Sequence, residues 1–73
     1  MTLDRLSRGQ RAIISAVSGE GRGRLRLLEM GLVPGTVIVM GRCAPFGDPV
    51  EIELRGYSLT LRRSDARTVE TEV

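Results

Sequence analysis

The sequence predicts a small all-β barrel with one short helix inserted after the first strand. Three observations carry this. Apolar and polar residues alternate in three separate short runs, turn signals built on Gly and Pro are dense, and only one stretch has helical periodicity. The count is about five short strands, a number that favours closure into a barrel because closure leaves few free edges. At 73 residues the chain is one domain, residues 1–73, with neither an internal repeat nor a linker. A domain this small hides only about 60% of its unfolded surface, so its core is one layer thick.

Leu3 and Leu6 flank polar residues ahead of Gly9, as in a single helical turn that tucks two leucines against a core. Arg11 to Val17 reads as a strand. Its register is ambiguous, because the adjacent Ile13 and Ile14 must face opposite sides unless a bulge or a second covering layer intervenes. Ser18 to Gly23 holds three glycines and reads as a loop, and Arg24 to Met30 as the helix. Leu25 and Leu28 begin its apolar stripe and Leu27 widens it. Gly31 can take the left-handed cap conformation, which places Leu32 where a Schellman motif makes its apolar contact back to Leu27. Val33-Pro34-Gly35-Thr36 has the composition of a type II turn, with Pro34 presetting φ and Gly35 supplying the positive φ.

Thr36 to Arg42 is β-rich, and Ala44 to Pro49, with two prolines and Gly47, is a loop. Val50, Ile52 and Leu54 alternate with Glu51, Glu53 and Arg55 in a half-buried strand. Arg55-Gly56 makes a tight turn into a second strand carrying Leu59 and Leu61. Glu53 and Arg62 then form a candidate cross-strand pair. Ser64 is placed to cap a short turn through Asp65 and Ala66, and Val69, Thr71 and Val73 alternate with Glu70 and Glu72 in a closing strand. An exposed edge on that final strand suits pairing into a weak homodimer, while a closed barrel stays monomeric.

Composition excludes more than it assigns. Eleven basic and nine acidic residues leave a net charge of +2, too balanced to indicate nucleic acid. All the basic residues are arginines, either through codon composition or as a surface suited to carboxylate and phosphate partners. The single cysteine, Cys43, precludes an internal disulfide and fits a reducing, cytoplasmic location. No apolar run approaches the ~18 residues of a membrane span, and Met1 to Arg8 lacks a signal-peptide core.

There is no histidine, hence neither the commonest general base nor the commonest metal ligand. Glu51 with Glu53, and Glu70 with Glu72, are carboxylate pairs at strand spacing. They read as the wet faces of amphipathic strands rather than as acid/base or cation sites. Cys43, Met30, Met1 and Met40 are the remaining soft donors. Gly19, Gly21 and Gly23 lack the Lys-Ser or Lys-Thr that follows a phosphate loop. Phe46 and Tyr57 are too few for a base-stacking platform or an aromatic peptide groove. The chain therefore reads as a non-enzyme without a cofactor.

The residues left free for a partner are Arg22 and Arg26, which share a face if the helix reaches back to Arg22, and the Pro45 to Asp48 loop. Arg22, Arg24 and Arg26 form either a solvated surface, a docking face or a phosphate-binding cluster. Phe46 either plugs one end of the barrel or stands out as an anchor. Met30 and Asp48 complete the candidate docking set Arg22, Arg26, Met30, Phe46 and Asp48. The set Gly31, Pro34, Gly35, Gly47 and Gly56 is assigned to turns and caps.

Three motifs in order resemble the FeoA family. They are Arg24 through Leu28 leading into Met30-Gly31-Leu32-Val33-Pro34-Gly35, the loop Ala44-Pro45-Phe46-Gly47-Asp48-Pro49, and Arg55-Gly56-Tyr57-Ser58-Leu59-Thr60-Leu61-Arg62 with Asp65-Ala66 after it. The match runs from about Leu6 to the C-terminus. The resemblance implies an SH3-like barrel and an accessory or regulatory role beside FeoB, the ferrous-iron permease with a cytosolic GTPase domain. The protein would then reach the membrane only through that partner. The same domain type ends iron- and manganese-responsive repressors, so a transition-metal-binding sensor or carrier is the alternative implied. No metal ligands are assigned, because the chain lacks the His and Cys residues for them.

Overall fold

The computed structural model describes residues 1–73 and contains five strands, β1 (Arg11–Val17), β2 (Val37–Cys43), β3 (Val50–Leu54), β4 (Tyr57–Leu61) and β5 (Val69–Glu72). Helix α1 (Gly21–Glu29) joins β1 to β2, the short α2 (Arg63–Ala66) joins β4 to β5, and a 3-10 turn (Leu3–Arg5) precedes β1. All pairings are antiparallel, in the order β4-β3-β2-β1-β5. One face of this sheet wraps a single core in which Ile14, Ile38, Met40, Ile52 and Val69 are fully buried. Leu3 from the 3-10 turn, Leu27 from α1 and Ala66 from α2 close that core.

A bulge resolves the register of β1. Its pairing with β5 shifts between Ile14 and Ala16, so Ala12, Ile14 and Val17 face the core and Ile13 faces outward. Helix α1 begins three residues earlier than the glycines suggested, and the Arg24 side chain secures its first turn by donating to the Val17 carbonyl at 2.9 Å. Its apolar stripe is also rotated. Leu27 is buried and Leu28 packs against the core, but Leu25 is 54% exposed. The helix ends as expected. The Leu32 N–H reaches the Leu27 carbonyl and the Gly31 N–H reaches the Leu28 carbonyl, the two bonds of a Schellman cap. Thr36 N–H then bonds the Val33 carbonyl, closing the Pro34-Gly35 turn with Gly35 at φ +92°.

The β3–β4 hairpin has a two-residue turn in which both Arg55 and Gly56 have positive φ, the requirement of a type I′ turn. Its register pairs Glu53 with Ser58, so the cross-strand Glu53–Arg62 pair does not form, and Arg62 lies outside the strand ahead of α2. Ser64 is not the cap of α2 either, since it lies inside that helix. The first N–H of α2, that of Arg63, is met by Asp48 Oδ1 at 3.0 Å from a distant loop.

Strand β5 does not offer the free edge expected of it. Thr2 bridges to Glu70, the Thr71 N–H donates to the Met1 carbonyl at 2.8 Å, and the N-terminal amine donates to the Thr71 carbonyl at 2.9 Å. The chain's own N-terminus thus covers that edge. Val73, expected to be the inward end of β5, is 75% exposed.

Candidate docking site

Phe46 is the most exposed large apolar side chain in the molecule, at 98%. A phenyl ring left in water forgoes roughly 1.5–3 kcal/mol of burial, so its setting decides between accident and use. The Ala44–Pro49 loop that carries it is held from inside and from outside. Within the loop, the Ala44 N–H donates to the Pro49 carbonyl and the Gly47 N–H to the Ala44 carbonyl. From outside, the Arg63 guanidinium donates to the Gly47 carbonyl at 2.8 Å and to the Asp4 carbonyl at 3.0 Å, while Asp48 receives the Arg63 backbone N–H. Gly47 must be glycine here, since φ is +80° and a Cβ would stand 3.3 Å from Arg63 Nη1. Phe46 therefore projects from a bonded turn and does not plug the barrel. An apolar side chain presented this way loses little conformational freedom when a partner covers it.

Arg63 is the residue that sequence reading passed over. It sits among four other arginines in the second half of the chain, and nothing local marks it as the tie between the loop, α2 and the N-terminal turn. Replacing it with methionine is expected to cost about 1–2 kcal/mol, because two partly buried charge-assisted hydrogen bonds go while the apolar stem is kept. Faster amide exchange at Gly47 together with a lower melting temperature checks this.

The other candidates divide. Arg26 and Asp65 form an ion pair at 3.2 Å, so α2 stands between the Phe46 loop and α1 and holds both. Arg22 is exposed, one turn before Arg26 on the same face. Arg24 is directed to the end of β1 instead. Asp48 is occupied in capping α2, which makes it a support of the loop. Met30 is half-buried against the core, and its carbonyl accepts the Tyr57 hydroxyl at 2.9 Å, so it belongs to the helix cap.

A second surface went unnoticed in the sequence. On the outer face of the sheet, Ile13 and Val37 are paired neighbours, 48% and 44% exposed. Val37 borders a shallow groove of about 460 Å³ lined also by Arg11, Val39, Glu53 and Tyr57. Neither surface gathers a nucleophile with a base. Nowhere do three Cys, Asp or Glu side chains converge, and Cys43 is exposed at the end of β2, so these donors do not fit a metal centre. No helix is long and apolar enough to cross a membrane.

A model of the FeoA domain matches residues 1–73, the whole chain. The chain belongs to the FeoA domain family. A curated FeoA-containing relative, the Fe(2+) transport protein A/Fe(2+) transporter FeoB fusion protein of Porphyromonas gingivalis, is 44% identical over 73 residues. These are 100% of this chain but only 9% of that protein, so the chain spans less than a tenth of its relative's length. The solution structure of the FeoA protein of Chlorobium tepidum superposes with a TM-score of 0.91 at 38% identity, over 100% of this chain and 70% of that one. FeoA of Stenotrophomonas maltophilia, described as a prokaryotic SH3 domain protein and crystallised with zinc, gives 0.85 at 28% identity over 99% and 89%. The SH3-like barrel implied by the FeoA motifs is thus the architecture of this chain.

Proposed function

We propose that this FeoA domain is a non-catalytic accessory protein of a ferrous-iron transport system, and that it docks on the cytosolic face of a FeoB-type permease through the Phe46 loop. The observation that carries the reading is a wholly exposed phenyl ring on a loop fastened at both ends. The relative in which transport protein A and FeoB form one polypeptide supports the choice of partner, because fusion raises the effective concentration of two domains that work together. Arg22, and Arg26 beyond its bond to Asp65, supply positive charge near the same end for an acidic rim on the permease. In this reading the protein is cytoplasmic and meets the membrane only through its partner.

The test is a calorimetric titration of this chain into the isolated cytosolic region of the permease, with and without guanine nucleotide. Saturable binding is expected, and a nucleotide dependence would show that docking is coupled to the GTPase cycle. Absence of binding in both nucleotide states would refute docking on that region.

A further inference from the structure

The two edges of the sheet are treated differently. That of β5 is covered by the N-terminal residues and carries Glu70 and Glu72. That of β4 is bare. β4 pairs only with β3, and no hydrogen bond outside the ladder uses a backbone group of Tyr57 to Leu61. Its sequence, Tyr-Ser-Leu-Thr-Leu, contains neither a charge nor a proline, and its register with β3 runs without a bulge. These are the devices by which edge strands are normally protected from pairing, and β4 has none of them.

The hairpin fixes which groups face out. In a two-residue hairpin the residues flanking the turn form a hydrogen-bonded pair, so Leu54–Tyr57, Ile52–Leu59 and Val50–Leu61 exchange the ladder bonds. The N–H and C=O groups of Ser58 and Thr60 therefore point away from the sheet. We propose that this edge pairs with the same edge of a second copy of this chain, antiparallel about a two-fold axis at Leu59. Ser58 then lies opposite Thr60 of the second copy and exchanges both backbone bonds with it. A Ser–Thr pair across strands is a favourable one, and no charge within β4 opposes another. Leu59, half-buried against its own core, meets the second copy's Leu59.

Self-pairing is favoured as the occupant because the register is self-complementary in hydrogen bonding, size and charge at once, as an isologous contact requires. A contact of five residues per strand is small, below the ~1,000 Å² of a stable interface, so the dimer forms reversibly and only at high concentration. This inference does not depend on the permease reading, since it uses a different part of the surface and no partner protein.

Sedimentation velocity from micromolar to millimolar concentration tests it, together with amide exchange. The mass is expected to climb from 8.0 kDa toward twice that value, with Ser58 and Thr60 amides gaining protection in step. Ser58→Pro removes an outward N–H without touching the β3 ladder, and Thr60→Lys puts a charge on the edge. Each is expected to raise the dissociation constant about tenfold or more. If Ser58→Pro unfolds, the lysine variant and the exchange data still decide. A chain that remains at 8.0 kDa at millimolar concentration, or one that dimerises without protecting these two amides, overturns the proposal.

Discussion

Replacing Gly31 with alanine is expected to destabilise the protein by about 2–3 kcal/mol, a large part of the stability of a domain this small. Two effects combine. Gly31 has φ +102°, where an L side chain costs roughly 1–2 kcal/mol. The added Cβ would also stand 2.7 Å from the Tyr57 hydroxyl, which must then leave the Met30 carbonyl it now donates to, losing about 1 kcal/mol more. Gly35→Ala separates the two, since its φ of +92° imposes the strain but nothing lies within 4 Å, and it should cost only about 1 kcal/mol. The melting temperature is expected to fall by roughly 10–20 °C for the first variant and clearly less for the second. Adding Tyr57→Phe to Gly31→Ala removes the clashing oxygen, so the double variant should be more stable than the sum of the singles implies. Strict additivity would show that the cap and Tyr57 are not coupled.

The largest functional effect is expected from Phe46→Ala. A central aromatic anchor contributes about 2 kcal/mol or more to an interface, which is roughly a thirtyfold loss of affinity for the permease. Stability should change by less than about 0.5 kcal/mol, because the ring is 98% exposed and touches no core residue that depends on it. Isothermal titration beside a thermal melt checks both. Equal affinity of the two proteins would move the docking surface elsewhere. Phe46→Trp, which keeps a large rigid apolar group, is expected to retain most of the binding.

How far the residues alone foretold this molecule differs from element to element. The β3–β4 hairpin was legible because Val50, Ile52 and Leu54 alternate cleanly and Arg55-Gly56 marks the turn. The end of α1 was legible because Gly31, Leu32, Pro34 and Gly35 make a local chain of cap and turn that needs no tertiary information. Its start was not. Gly21 and Gly23 argue against helix at about 1 kcal/mol each, and what overrides them is packing of Leu27 and the Arg24 bond to β1, both tertiary. The orientation of the helix was likewise undetermined, because Leu25, Leu27 and Leu28 span too wide an arc to say which of them faces inward. At the candidate site, Phe46 stood out as an oddity of composition, but its two possible settings could not be told apart. The bonds that settle them run from Arg63 and Asp48, 15 positions apart in sequence. The same long-range bond makes Asp48, and not the local Ser64, the side chain that meets the first N–H of α2.

The most direct test of the docking account is an amide chemical-shift map of this chain, recorded as the cytosolic region of the permease is added. The account predicts that perturbations concentrate on Ala44 to Asp48 and on the exposed face of α1 around Arg22 and Arg26. A map that leaves the Phe46 loop silent and falls on the outer sheet face around Ile13 and Val37 would contradict it.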